Sequence, residues 1–150
     1  EAFLRASRRH PGQVCTRSGY DEPLAHRVMG GCDAILVPSR FEPCGLTQLY
    51  GLRYGTIPVA HRVGGLADTI VDATPAALEA GRATGILFDD FSPQGLVGAV
   101  RRACELHASA TTWRRLQRNA MQQRFDWSES AARYVALYRS IQPLHGGPRA

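Results

Sequence analysis

Short uninterrupted apolar runs alternate along the chain with apolar stripes at helical spacing. Ala34-Ile35-Leu36-Val37 has the form of a parallel strand buried on both faces. Ile57-Pro58-Val59-Ala60 and Gly85-Ile86-Leu87-Phe88 repeat that form, and Gln13-Val14-Cys15-Thr16 is a shorter strand candidate. Between the runs, Asp21 followed by Pro23 opens a helix with Leu24, Val28 and Met29 on one face, and Gly30-Gly31 is expected to stop it. A second helix is expected from about Gly45 to Tyr54.

From Ser92-Pro93 onward the pattern is helical. One helix carries Leu96, Val97, Val100 and Cys104, and the next carries Trp113, Leu116, Ala120 and Met121. Asp126 and Glu129 form a capping-box pattern ahead of a last helix over residues 128–140, with Ala131, Val135 and Tyr138 on it. Residues 142–150 read as a flexible tail, leaving 1–141 as the folded part. The opening Glu1-Ala2-Phe3-Leu4-Arg5-Ala6 reads as helix without an initiator Met or signal-peptide layout, as expected for part of a longer protein.

Strands alternating with helices predict an α/β fold: a partial doubly wound parallel sheet, Rossmann-like, followed by C-terminal helices. Ligands of such sheets sit at the carboxyl ends of the strands, which draws attention to residues 39–47.

Composition narrows the class. With 44% hydrophobic and 21% charged residues the chain has a globular balance, and no run of eighteen apolar residues predicts a membrane span. The net charge is +5, and all 18 basic residues are Arg. The nine Arg residues beyond position 100 sit at helical spacing without interleaved aromatics on the same face, so they read as a solvated helix face rather than a nucleic-acid surface. Cys15, Cys32, Cys44 and Cys104 show no C-x-x-C spacing; three of them read as small buried residues in apolar elements, which suits a reducing cytoplasm.

The chemistry concentrates in the stretch Pro38-Ser39-Arg40-Phe41-Glu42-Pro43-Cys44-Gly45-Leu46-Thr47-Gln48-Leu49-Tyr50. A buried strand lies behind it and a helix N-terminus in front. The first amides of that helix have no intrahelical acceptor, and the helix dipole adds positive potential there. Gly45 has no Cβ to keep a ligand away from the backbone. These features suit a diphosphate, with Glu42 one turn earlier to accept hydrogen bonds from sugar hydroxyls. By spacing alone, an ordinary strand-to-helix loop remains an equal reading.

The string Phe41-Glu42-Pro43-Cys44-Gly45-Leu46-Thr47-Gln48-Leu49-Tyr50-Gly51-Leu52 resembles the signature of bacterial glycogen (starch) synthases. These are ADP-glucose-dependent retaining glucosyltransferases of the two-domain GT-B type. Gly19-Tyr20-Asp21-Glu22, His26-Arg27-Val28-Met29-Gly30-Gly31, Val63-Gly64-Gly65-Leu66-Ala67-Asp68-Thr69 and Phe125-Asp126-Trp127-Ser128 extend the resemblance, in unbroken order, over residues 1–141.

The resemblance implies the C-terminal part of the nucleotide-sugar-binding domain, and it implies roles. Glu42 would be the active-site glutamate facing the transferred glucose. Cys44 and Gly45 would offer backbone N–H groups to that sugar, and Leu46 and Thr47 would hold the distal phosphate through theirs. Tyr20 would stack on the adenine. The partners implied are ADP-glucose and an α-1,4-glucan acceptor, with no cofactor or metal, no nucleic acid and no membrane. The family's acceptor groove, active-site His and diphosphate-binding Arg and Lys lie in parts that do not map onto this sequence, so the isolated chain is expected to be inactive. The usual strand order 3-2-1-4-5-6 would make its strands numbers three to six, with 13–16 cut off from its neighbours. The last helix would show an exposed apolar face.

Many related retaining transferases carry a second Glu eight residues after the first, where this sequence has Tyr50; glycogen synthases tend to lack it too. A UDP- or GDP-sugar transferase of the same fold and a non-catalytic nucleotide-binding module are the competing readings. Gly64-Gly65 reads as a helix-entry turn, and His26 and His61 as surface or supporting residues rather than general bases. Trp113 and Trp127 read as core and cap residues.

Overall fold

Three parallel strands frame the computed structural model, which describes residues 1–141. They are β1 (Ala34–Val37), β2 (Ile57–His61) and β3 (Ile86–Phe88), side by side in that order, with Leu36 opposite Val59 and Val59 opposite Ile86. Successive side chains of a strand point to opposite faces. Ile57, Val59, Ile86 and Phe88 therefore enter one apolar cluster, and Ala60 and Leu87 enter the other. Burial on both faces explains why the runs of β2 and β3 are apolar throughout rather than alternating. By contrast β1, expected to be buried likewise, is an edge strand with Leu36 exposed and only Val37 buried.

Helices supply the covering layers. On the first face, α3 (Thr47–Tyr54) brings Leu52, α6 (Pro93–His107) brings Ala99 and Ala103, and α7 (Ala110–Gln122) brings Trp113, Leu116 and Ala120. On the second, α4 (Gly64–Thr69) places Leu66 and α4's C-cap residue Ile70 against Val37, Ala60 and Leu87. The remaining helices are α1 (Ala2–Arg9), α2 (Glu22–Gly31), α5 (Pro75–Glu79) and α8 (Trp127–Ile141).

The helix starts follow local chemistry. Asp21, Thr74, Ser92 and Ser109 each accept a hydrogen bond from the amide three residues on, with a Pro in the first turn of α2, α5 and α6. Gly55 ends α3 in the left-handed conformation, φ +76°. Pro58 sits in the central strand, where proline is unusual. Pairing with β3 starts one residue later, and Gly85 lies against the Pro58 ring, where a Cβ would come within 2.9 Å of its Cγ.

Several expectations are corrected. Residues 13–16 form no strand: the Gln13 and Val14 amides turn back onto the His10 carbonyl, and Thr16 hydrogen-bonds Ser7 and the Phe3 carbonyl. An extended run needs a ladder partner, and among the described residues none lies beside it. The helix expected to stop at Gly30-Gly31 does end at Gly31, with Cys32 as its C-cap. All four cysteines are exposed rather than buried. On α6 the buried positions are Ala99 and Ala103, one residue off the expected stripe, so Val97 and Cys104 face outward.

The last helix has the expected exposed face. Trp127, Tyr134, Val135, Leu137, Tyr138 and Ile141 are all exposed. Asp126 caps it by accepting from the Ser128 amide, while the expected Glu129 contribution and the tail 142–150 lie outside the described residues. Hydrogen bonding from Ser128 holds the Asp126 carboxyl below its ordinary pKa. No helix among the described residues is long and apolar enough to cross a membrane.

Candidate functional site

The loop joining β1 to α3 leaves the carboxyl end of β1 and lies beside the carboxyl end of β2, where the connection 62–63 leads into α4. Each of its turns is held from below. The Gly65 amide donates to the Glu42 carbonyl at 3.0 Å. Gly64 and Gly65 meet the loop so closely that a Cβ would lie 2.1 Å from the Glu42 oxygen and 2.0 Å from the Cys44 oxygen, respectively. Glycine is required there by contact, and at Gly64 by a φ of +45° as well. The pair does open a helix, but it is also the platform on which the loop rests.

His61, at the end of β2, fixes the near side. Its Nδ1 lies 2.9 Å from the Ser39 carbonyl, and because a carbonyl only accepts, Nδ1 carries the proton. The imidazole packs on Phe88 and Phe91, and the Arg40 guanidinium lies over Phe91. Ser39 Oγ in turn donates to Glu42 Oε2 at 3.3 Å. The Glu42 carboxylate is half-buried and oriented by this hydroxyl.

Gln48 fixes the far side from within α3. Its side chain is fully buried, and Nε2 donates at 3.0 Å to both the Cys44 and the Gly45 carbonyls. Thr69 Oγ1, at the end of α4, lies 3.3 Å from the same nitrogen. Gly45 turns through φ +73°, and a Cβ on it would sit 2.5 Å from Gln48 Oε1. Among the described residues, the backbone amides of Cys44, Gly45, Leu46 and Thr47 have no acceptor. The loop thus presents consecutive free N–H groups at the start of a helix, beside an oriented carboxylate. That set suits an anion together with a hydroxylated or cationic neighbour.

Residues 6–123 match the family described as Glycosyl transferases group 1. The chain belongs to the group 1 glycosyl transferases. It is 57% identical over 142 residues to a glycogen synthase of Albidiferax ferrireducens, covering 95% of this chain and 29% of that protein. A glycogen synthase of Rhizobium leguminosarum bv. trifolii is 51% identical over 93% of the chain and, again, 29% of its own length. Among solved structures, the catalytic domain of starch synthase IV from Arabidopsis thaliana, bound to ADP and acarbose, superposes with a TM-score of 0.79 at 33% identity, covering 93% of this chain and 29% of that one. Sucrose-phosphate synthase from Thermosynechococcus elongatus superposes with a TM-score of 0.62 at 25% identity, covering 92% and 32%. The fold is that of the C-terminal domain of the GT-B glycosyltransferases. The chain spans under a third of the length of these relatives.

Of the residues expected to act, Glu42, Cys44, Gly45 and Leu46 lie together in the β1–α3 loop of this glycosyl transferase, and Thr47 opens α3 directly after it. Tyr20 lies in the segment before α2 with its ring 90% exposed, and among the described residues no hydrogen bond or ring contact ties it to the loop. The sequence reading assigned no part to Ser39, Gln48 or Thr69. The partners of Ser39 and Gln48 within residues 39–48 stand at turn and helical spacing and offered a signal; the contacts to Gly65 and Thr69 offered none.

Proposed function

We propose that this chain is the donor-binding part of a glycogen synthase, transferring glucose from ADP-glucose to the non-reducing end of an α-1,4-glucan with retention of configuration. The observation that carries this reading is the row of free amides at residues 44–47 beside the oriented Glu42 carboxylate. Similarity to glycogen synthases and to a starch synthase bound to ADP and acarbose supports it.

In this mechanism the Leu46 and Thr47 amides donate to the distal phosphate, and the Cys44 and Gly45 amides hold the glucose. The bond between the anomeric carbon and the distal phosphate oxygen breaks, leaving positive charge on the sugar ring and negative charge on ADP. Preorganised N–H dipoles stabilise the departing charge, and Glu42 stabilises the oxocarbenium-like ring on its hydroxyl side. The acceptor hydroxyl attacks from the face the phosphate leaves, and its proton passes to the phosphate. Tyr20 offers an exposed ring for adenine stacking. No cofactor or metal enters this scheme. The enzyme would work in the cytoplasm, where nucleotide sugars are found.

The exposed apolar face of α8 would dock on the rest of the synthase, whose relatives are more than three times as long as this chain. The deciding experiment is a donor series with the full-length protein carrying this chain, measuring transfer of labelled glucose to glycogen. ADP-glucose should be preferred over UDP-glucose and GDP-glucose. Preference for either of the others would replace the donor in this scheme, and no transfer from any would remove the enzyme reading.

A further inference from the structure

We infer that Gln48 is a positioning residue of the donor site: its buried amide sets the peptide planes from which the Gly45 and Leu46 N–H groups face the ligand. The inference rests on the reading of residues 44–47 as the sugar and phosphate cradle, and it adds the part that holds the cradle open.

A trans peptide is planar, so its carbonyl and the following N–H point in opposite directions. Gln48 Nε2 draws the Cys44 and Gly45 carbonyls inward, each at 3.0 Å. The N–H groups on the other ends of those two planes belong to Gly45 and Leu46, and they are turned away from Gln48. Both are without an acceptor among the described residues. One side-chain amide therefore orients two consecutive backbone donors. Gly45 completes the arrangement, since its positive φ lets adjacent planes turn their carbonyls to the same nitrogen and its missing Cβ leaves room for Oε1.

Two features separate this from ordinary core packing. Gln48 is 0% exposed, yet its Oε1 is buried with no donor among the described residues. A buried amide whose own oxygen lacks a donor is retained for what its nitrogen holds, the Cys44 and Gly45 carbonyls. The amide is also anchored from a different element: Nε2 reaches Thr69 Oγ1, and that hydroxyl donates to the Gly65 carbonyl. Gly65 is the residue whose own amide holds the Glu42 carbonyl. Gln48 thus links the cradle to the platform that carries Glu42.

The test compares ADP with adenosine, which shares the base and ribose but has no phosphate. In the full-length protein, Gln48→Met keeps the length and apolar bulk of the side chain and removes both donors. ADP affinity should fall roughly tenfold or more, about the worth of one well-aligned hydrogen bond to a charged group, while adenosine affinity stays unchanged. The melting temperature should stay within a few degrees of the parent. Unchanged ADP affinity, or equal losses for ADP and adenosine, would overturn the role. Should Gln48→Met not fold, Thr69→Val decides: it removes only the outer anchor, and a selective loss of ADP affinity is expected, whereas no loss or an unselective one overturns the inference. A parent protein that binds ADP no better than adenosine would instead remove the phosphate cradle itself, and this role with it.

Discussion

The Gly65 amide donates to the Glu42 carbonyl at 3.0 Å, so the residue proposed to face the glucose is held by the backbone of the next crossover. This contact leaves no room for a side chain: a Cβ on Gly65 would meet the Cys44 carbonyl at 2.0 Å. Gly65→Ala should therefore push the loop off its platform. Overpacking against a backbone that cannot rotate away costs about 1–3 kcal/mol, read by denaturant unfolding. Transfer activity of the full-length protein should fall far more steeply than that loss of stability accounts for.

Glu42→Gln separates charge from shape. The amide can still occupy the site beside Ser39, so folding should change by no more than about 0.5 kcal/mol. The negative charge that stabilises the ring in the proposed transition state is gone. A loss of roughly a hundredfold or more in kcat is expected, with ADP affinity nearly unchanged. Steady-state kinetics with ADP-glucose together with ADP titration would check both halves.

The ease with which the sequence could be read followed the range of the interactions. Asp21 and Ser92 cap helices through amides three residues on, and both starts were legible because the partner lies in the same few residues. The apolar run of β1 announced a parallel strand, but not its burial: at this edge of the sheet only Val37 is buried and Leu36 is exposed. By contrast, Gly64-Gly65 read as a helix entry, because the contact that demands glycine comes from residues about twenty positions away. The stripe on α6 was misplaced for a related reason. Ala99 and Ala103 are buried because small side chains allow close approach to the sheet and to α7, and alanine carries too weak a hydrophobic signal to mark that face. Residues 13–16 have strand composition, but propensity forms no ladder without a neighbour.

Asp72 covers the outer edge of β3, where its own backbone bridges Gly85 in parallel. One carboxylate oxygen accepts from the Leu87 amide at 2.9 Å and from Arg102, and the other accepts from Arg62 at 3.3 Å. The carboxylate therefore takes the place of a strand neighbour, which satisfies the backbone and blocks pairing with another chain. Both Arg side chains are more than a third exposed, so solvent screens much of the charge attraction. Asp72→Ala should cost about 1–3 kcal/mol, chiefly through the unpaired Leu87 amide. Asp72→Asn, which retains an acceptor oxygen, should cost less. Denaturant unfolding of the two variants checks the order.

The 150-residue chain by itself should not transfer glucose. A diphosphate leaving group carries whole negative charges, whereas the amides at the start of α3 supply about half an elementary charge of helix dipole. Two guanidinium groups near the loop are already engaged. Arg40 lies over the Phe91 ring, and Arg62 is paired with Asp72 and with Asp89 at 2.7 Å. The chain has no Lys that could take their place. The loop can therefore hold a phosphate but has little with which to stabilise its departure. Labelled ADP-glucose incubated with glycogen and this chain should give no labelled polymer, while ADP still binds weakly. Clear transfer by the chain alone would show that the amides and Glu42 suffice, and that no further cationic group is needed.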